Sequence, residues 1–414
     1  MLFLVSLVIA CTKDTVTQHY TFYRPVYKTR DAVLAEIKNS VAQPIQRPGK
    51  LVWMDNYVFV NDMDRGIHIL DISNPNQIKK ISYISIPGCV DLAVYGNYLY
   101  ADCYTDLVTI DITDPLHVST KLVLRGVFPH RRYNGYFIQD TSMIITEWVR
   151  VDTVIKENLS EADRYRRFGM VGMYNAVADF SSFRSASGSN AGIGVAGSTA
   201  RFALMTSQRM YTVSNTDMKV FNVTNPAAPS HVKNIPLPNG DIETIFPYQD
   251  KLFIGSMTGM FIYNAQNPDQ PEKLGQFTHV RTCDPVIAEN NYAYVTLKGG
   301  GRCGGNTNQL DVLDVSNLLS PKLIKSYTLT SPTGLSKDGD LLFICDGKDG
   351  LKIFNATNPA AISLLTRLSV DEPHDVIAQK GIAIVVAKDG FHVIDYTNPV
   401  NVKEISSIKL APSK

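Results

Sequence analysis

The chain has 414 residues, of which 44% are hydrophobic and 19% are charged, a composition typical of a soluble globular protein with a sizeable core. Its 40 basic and 39 acidic residues give a formal net charge of +1. Nucleic-acid binding draws its affinity from clustered Lys and Arg, so this balance excludes a broad nucleic-acid surface, and we expect no nucleic-acid partner.

The N-terminus carries a short apolar run, residues 2–10, that ends directly before Cys11. Such a run followed by a small residue and a cysteine resembles a bacterial lipoprotein signal peptide. The resemblance implies that residues 1–10 are removed and that Cys11 becomes the acylated first residue, with palmitate as a typical lipid. It implies a cell-envelope location, and Thr12 in place of Asp favours the outer membrane. The alternative is a simple secretory signal with an incidental Cys11. Residues 11–45 are then expected to form a tether.

Export makes disulfide bonds feasible, and four cysteines are candidates. Cys89 and Cys103 lie on the two sides of a predicted tight turn at residues 96–97, so we predict that they face each other. Cys283 and Cys303 are a second candidate pair, because the Gly-rich loop around Cys303 can return toward Cys283.

A short motif recurs along the rest of the chain. It consists of two apolar residues, then Asp or Asn, then a polar turn that usually ends in Asn-Pro. The copies begin at Asp71, Asp111, Asn222, Asn264, Asp314, Asn355 and Asp395. The prolines of neighbouring copies, such as Pro75 and Pro115, are about 40 residues apart. A period of this length with β-type segments indicates one supersecondary unit that needs its neighbours to bury its apolar face.

Residues 88–118 illustrate the unit. Strand patterns at residues 90–94, 98–101 and 107–112 are separated by turn residues, and an outer strand is expected near residues 121–124. Four antiparallel strands per 40 residues are typical of a β-propeller blade. The sequence therefore predicts an all-β protein in which residues 46–414 form a β-propeller of seven blades, each with four antiparallel strands.

One interval departs from the period. Pro115 and Pro226 are separated by 111 residues, and the stretch between them includes a Gly/Ser/Ala-rich tract at residues 185–197. We interpret residues 134–200, approximately, as an inserted hairpin and flexible loop. A propeller of eight blades, one of them degenerate, is the alternative.

The predicted third strands include His68-Ile-Leu-Asp-Ile, Val108-Thr-Ile-Asp-Ile and His392-Val-Ile-Asp-Tyr. Together they resemble the LVIVD repeat, and residues 45–410 resemble the LVIVD-repeat lipoproteins of Bacteroidetes-type bacteria. The resemblance implies an envelope propeller. It implies no catalytic residues, because the role of that family is undefined.

Acidic residues recur where the predicted first strands begin. In a propeller these strands line the central channel, so residues from different blades are expected to converge there. The resulting candidate ligand site contains Asp91, Asp241, Glu243, Asp284, His374 and Asp375. Carboxylates from separate blades can bind a metal or act as an acid/base pair. The alternative is a solvated polar lining.

A second candidate surface is basic and aromatic and belongs to the inserted region. Its residues are His130, Arg131, Arg132, Tyr133, Arg164, Tyr165 and Arg166. Arg beside aromatic residues is frequent in protein interfaces and suits anionic or sugar-like ligands. The alternative is a solvated loop face with ordinary packing.

The sequence contains no His-Glu-x-x-His, P-loop, Gly-x-Ser-x-Gly or Cys-x-x-Cys motif. We therefore expect no enzymatic activity, no bound metal and no cofactor. The favoured hypothesis is a lipid-anchored, monomeric binding or scaffold module whose partner is an envelope protein or a glycan. The alternative is an enzyme that acts on glycans or other polymers through acidic residues at the channel.

Overall fold

A computed structural model describes residues 15–128, 132–133, 136–137, 143–158, 193–238, 241–279, 281–282, 285–300 and 304–410. The chain divides into two units, residues 1–30 with 132–180 and residues 31–131 with 181–414. Each unit is described by itself below. Within the described residues, no helix is long and apolar enough to cross a membrane.

The first unit contains a long antiparallel ribbon of two strands. Strand β1 (Thr15–Thr29) pairs with β13 (Met143–Asn158) from end to end, with one irregularity next to Val26. Two short strands, β11 (Arg132–Tyr133) and β12 (Tyr136–Phe137), pair with each other. Strand β1 falls within the expected tether at residues 11–45. That segment is rich in Thr, Tyr and Val, which favour strands, and it becomes ordered by pairing with a strand more than a hundred residues away.

The second unit consists of seven sheets, each containing four consecutive antiparallel strands. Blade 1 contains β3 (Pro48–Met54), β4 (Tyr57–Asp62), β5 (Gly66–Asp71) and β6 (Lys79–Ser85). Blade 2 contains β7 (Leu92–Tyr95), β8 (Tyr98–Cys103), β9 (Asp106–Asp111) and β10 (Ser119–Leu124). Blade 3 contains β15 (Phe202–Met205), β16 (Arg209–Val213), β17 (Asp217–Asn222) and β18 (Ser230–Pro236). Blade 4 contains β19 (Ile242–Tyr248), β20 (Lys251–Ser256), β21 (Gly259–Asn264) and β22 (Glu272–Thr278).

The remaining three blades follow without interruption. Blade 5 contains β23 (Val286–Glu289), β24 (Tyr292–Lys298), β25 (Asn308–Asp314) and β26 (Lys322–Thr328). Blade 6 contains β27 (Leu335–Asp338), β28 (Leu341–Cys345), β29 (Leu351–Asn355) and β30 (Ser363–Leu368). Blade 7 contains β31 (Asp375–Gln379), β32 (Ile382–Ala387), β33 (Gly390–Asp395) and β34 (Lys403–Lys409). Seven blades are therefore confirmed, and the insertion lies between blades 2 and 3.

The first strands of the blades form a closed ring. Each contacts the first strand of the next blade, in the order β3, β7, β15, β19, β23, β27, β31 and back to β3. One apolar cluster joins Leu51 and Val60 of blade 1 to Ile384 and Phe391 of blade 7. Closure leaves no blade with an uncovered face, which is how a propeller avoids the exposed ends of a linear array.

Residues before blade 1 extend it outward. Helix α1 (Arg30–Leu34) is followed by β2 (Lys38–Ser40), which pairs with the outer strand β6. Ile45 is buried in the cluster that blade 1 shares with blade 7. The last part of the expected tether is therefore packed against the propeller. Burial of an apolar residue such as Ile45 lowers the free energy of the folded state.

The repeated motif forms the same turn in every blade. The Asp or Asn that ends each third strand accepts a hydrogen bond from the backbone N–H two residues later, as Asp71 does from Ser73 at 2.8 Å. The six equivalent acceptors are Asp111, Asn222, Asn264, Asp314, Asn355 and Asp395. Hydrogen bonds from the side chain and then the backbone of Ser73 hold the pKa of the Asp71 carboxyl below its usual value. The most repetitive signal of the sequence is thus a structural turn.

Candidate functional site

Among the described residues, one segment of the chain runs along the inside of the ring. This channel segment, residues 193–201, follows the inserted region and leads into blade 3. Its strand β14 (Val195–Ala196) pairs antiparallel with β3 of blade 1. The Gly194 N–H donates to Val94 O of blade 2 at 2.8 Å, and Ile245 N–H of blade 4 donates to Ala200 O at 3.0 Å. One segment therefore contacts several blades at once.

A buried ion pair binds the channel segment to blades 1 and 2. Lys50 Nζ lies 2.8 Å from Asp91 Oδ2, and these side chains are only 4% and 1% exposed. Lys50 Nζ also donates to Thr199 O at 2.5 Å, and Arg201 N–H donates to Asp91 Oδ2 at 2.8 Å. The carboxylate and the ammonium are each satisfied by the other and by backbone groups of the channel segment, as buried charges require.

A second carboxylate binds the same segment from the opposite part of the chain. Asp375 of blade 7 is fully buried, and its Oδ1 accepts from both the backbone N–H and the hydroxyl of Ser198 at 3.3 Å. The Ser198 hydroxyl oxygen in turn accepts from Leu335 N–H of blade 6 at 2.7 Å. Ser198 therefore links the first strands of blades 6 and 7.

Two glycines make room for the Asp375 carboxylate. A Cβ at Gly197 would lie 1.8 Å from Asp375 Oδ2, and a Cβ at Gly334 would lie 2.3 Å from its Oδ1. Both distances are far below any van der Waals contact, so only glycine fits at either position. The two glycines therefore let the backbone approach this carboxylate closely.

A small apolar cavity lies between the channel segment and blades 2, 3 and 4, lined by residues such as Ala93, Gly194 and Phe202. The buried hydroxyls Thr199 Oγ1 and Thr244 Oγ1 have no hydrogen-bond partner in the described part of the chain. Within that same part, no group of three His, Cys, Asp or Glu side chains could bind a metal ion.

The predicted channel residues that the structure describes have different partners. The carboxylates of Asp91 and Asp375 accept hydrogen bonds from the channel segment. Asp241 instead pairs with Arg281 at 3.1 Å, where both side chains are about half exposed. Glu243 accepts a hydrogen bond from Arg201 Nε through its backbone oxygen.

The backbone of His374 belongs to the same region. Its N–H donates to Val386 O at 2.7 Å, and its oxygen accepts from Gly334 N–H at 2.9 Å. These bonds connect the entry of blade 7 to its own second strand and to blade 6. These backbone bonds give His374 a structural role at the entry of blade 7.

Near the loop of blade 5, one lysine has a perturbed pKa. Lys298 ends β24, and burial lowers the pKa of its ammonium group, although the charge of Glu372 acts in the opposite direction. Desolvation accounts for the direction of this shift, so it needs no bound ligand as its cause.

The predicted pair of Cys89 and Cys103 is not found. The register of β7 and β8 aligns Leu92 with Ala101, so Val90 rather than Cys89 lies opposite Cys103. Both cysteines are buried thiols. The prediction was wrong because it placed the centre of the hairpin on Gly96. The turn contains two residues, so the centre lies between Gly96 and Asn97, and the paired residues change by one position. In an antiparallel pair this shift moves one of the partners to the other face.

Several candidate residues lie outside the described residues, namely Cys11, His130, Arg131, Arg164, Tyr165, Arg166, Cys283, Asp284 and Cys303. Arg132 and Tyr133 form β11, opposite Phe137 and Tyr136 of β12. The proposed basic and aromatic surface therefore remains a prediction.

Sequence reasoning missed the residues that fill the channel. Ser198 and Thr199 were assigned to a flexible loop because a Gly/Ser/Ala-rich tract precedes them. Lys50 was also missed as a candidate residue. Its position directly before the apolar run of β3 is a usable sequence signal. In the structure Lys50 is only 3% exposed, and a buried lysine requires a partner. That partner, Asp91, was selected as a ligand-binding residue.

Three stretches of the chain match a model of the LVIVD repeat. The LVIVD repeat model matches residues 51–82, 89–123 and 281–329, which belong to blades 1, 2 and 5. No curated protein has a significantly similar sequence.

Solved structures with similar folds have very different sequences. A protein from Lactobacillus plantarum has a TM-score of 0.53 at 11% identity, covering 88% of this chain and 97% of its own. A functionally unknown protein from Desulfotomaculum acetoxidans has a TM-score of 0.51 at 12% identity, with coverages of 87% and 100%. The periplasmic gluconolactonase of Pseudomonas aeruginosa has a TM-score of 0.52 at 11% identity, with coverages of 88% and 96%. At these identities the similarity concerns the fold alone.

Proposed function

We propose that this LVIVD-repeat propeller is a binding or scaffold module of the cell envelope, attached by a lipid at Cys11 and recognising an envelope protein or a glycan through its rim loops. The observation that carries the proposal is the burial of two candidate channel carboxylates, Asp91 and Asp375. In many enzymes, reacting groups face a cleft that a substrate can enter. Here Asp91 and Asp375 are buried against the channel segment, and their bonds to Lys50 and Ser198 serve to hold that segment.

The loops at the rim of the propeller present exposed residues that a binding partner can contact. Turns that join the second and third strands of successive blades lie at one end of the ring, and they include exposed residues such as Asn306 of blade 5. Loops on a rigid scaffold are where propellers vary their binding partners. Binding at the rim leaves the internal ion pair unaffected.

A photo-crosslinking experiment tests this assignment. A photoreactive amino acid replaces Asn306, and a matched variant carries it at Asp340, an exposed residue in a turn between first and second strands at the opposite end of the blades. Both variants are irradiated with cell-envelope fractions and with soluble glycans. The proposal expects a discrete adduct from the Asn306 variant alone. Equal labelling at both positions, or none at either, contradicts it.

The competing enzyme hypothesis is tested on the channel. Asp91→Asn and Asp375→Asn are expected to lower the unfolding temperature and to leave the Asn306 adduct unchanged in the folded fraction. Divalent cations and soluble glycans, with EDTA as the control, are expected to cause no thermal shift that depends on these carboxylates. A cation-dependent shift that either substitution abolishes without loss of stability would support the enzyme.

A further inference from the structure

Strand β13 of the ribbon has an open edge. It spans sixteen residues without proline or glycine, and β1 is its one ladder partner among the described residues. The other edge of the ribbon is different, because Pro25 lies within β1 and cannot donate a hydrogen bond to a further strand. A long edge with high strand propensity and no proline can pair with another chain.

In the described part of the chain the ribbon consists of two strands. An isolated pair of strands is marginally stable in water, and three or more strands are usually required. Phe22 and Tyr23 of β1 are each 47% exposed, and Val154 of β13 is 51% exposed. Additional strands would stabilise the ribbon by completing its backbone hydrogen bonds and covering part of this surface.

The sequence of β13 is complementary to itself when reversed. Arg150 and Asp152 lie on one face of the strand, and Val151 between them points to the other face. The side chains of Arg150 and Asp152 are each 62% exposed. If two copies pair antiparallel about a two-fold axis at Val151, Arg150 lies opposite Asp152 of the second copy, and the same contact is repeated by symmetry. Trp148 then lies opposite Val154 of the second copy. Opposite charges and apolar residues in directly facing positions stabilise a sheet.

We propose that β13 pairs with β13 of a second copy of this chain, in an antiparallel register centred on Val151, to form a four-stranded sheet. The symmetry is that of an ordinary two-fold dimer, in which the same surface of both copies is used. A dimer replaces the monomer expected from the sequence, and the inference stands independently of the function proposed above.

Cysteine substitution in the full chain tests the register. In the proposed dimer Val151→Cys faces itself across the axis, where directly opposite Cβ atoms are about 5 Å apart and a disulfide can form with a small adjustment. Val149→Cys is the matched control on the same face, and its two copies would lie about 13 Å apart along the strands. Mild oxidation should yield a disulfide-linked dimer of Val151→Cys only, with the unsubstituted chain treated in parallel.

Charge reversal tests the pairing by sedimentation velocity. Arg150→Glu places like charges opposite each other and should shift the chain to monomer, whereas the double exchange Arg150→Asp with Asp152→Arg restores the facing pairs and should restore the dimer. The proposal is overturned by a monomeric unsubstituted chain at tens of micromolar, by equal crosslinking of the two cysteine variants, or by a dimer that survives Arg150→Glu.

Discussion

Replacing Lys50 by Met should destabilise the propeller strongly, because it removes the positive member of a buried ion pair. The Asp91 carboxylate would keep its backbone donors, at Leu92 and Arg201, but lose its only described cationic partner. Thr199 O would also lose a donor. Leaving one charge of a buried pair uncompensated costs about 3–5 kcal/mol. That is a large share of the 5–15 kcal/mol by which folded domains are commonly stable.

The assay is equilibrium unfolding in urea, followed by far-ultraviolet circular dichroism. Lys121→Met is the matched control, since Lys121 Nζ lies 3.1 Å from Asp111 Oδ2 in a pair whose side chains are 40% and 21% exposed. Exposed pairs of this kind contribute less than about 1 kcal/mol.

A double-mutant cycle isolates the cause. Asp91→Asn removes the charge that Lys50→Met leaves uncompensated, so the double variant should be more stable than the sum of the two single losses predicts, by at least about 2 kcal/mol. The reasoning is refuted if Lys50→Met costs no more than Lys121→Met, or if the two single losses simply add.

Two further predictions concern other contacts of the propeller. Gly197→Ala should cost about 3 kcal/mol by overpacking, since its Cβ would lie 1.8 Å from Asp375 Oδ2, whereas Gly96→Ala, with open space around it and a φ of +54°, should cost about 1 kcal/mol in urea unfolding. Equal losses would contradict this account. The two hydrogen bonds from Arg209 hold the pKa of the Asp269 carboxyl below its usual value. Their stabilisation, about 1 kcal/mol, is therefore present at neutral pH and lost as the pH falls below about 4 through that depressed pKa. The difference in unfolding temperature between the natural chain and Arg209→Met should shrink between pH 7 and pH 3, and a constant difference would count against the pair.

The fold was predictable because its signals are local. Each copy of the repeated motif contains both partners of its own turn, as in Asp71 with Ser73. The complete interaction therefore lies within three consecutive residues. Alternating apolar residues and the spacing of the turns then determine four strands per unit. One feature was not predictable from a residue pattern. In every blade the register between the third and fourth strands shifts by a bulge, as it does between Ile69 and Leu70 in blade 1.

The candidate site was only partly predictable. Asp91 and Asp375 were identified as channel residues by their position in the repeat, and both do lie on first strands or at their entry. Their partners were not identified, because Lys50 and Ser198 are distant in sequence and the tract before Ser198 has the composition of a flexible loop. A carboxylate held by an internal segment and a carboxylate awaiting a ligand have the same local sequence.

By itself, the sequence predicted the four-stranded unit, the turn that ends each third strand and a ring of seven blades, with eight as the alternative. These features depend on interactions between residues close together in the chain. Only the tertiary structure decided that residues 193–201 occupy the channel and that β1 pairs with β13. Both outcomes depend on contacts between segments that lie far apart in sequence. The free energy of such contacts comes from burial and charge pairing between distant segments, and no local pattern specifies it.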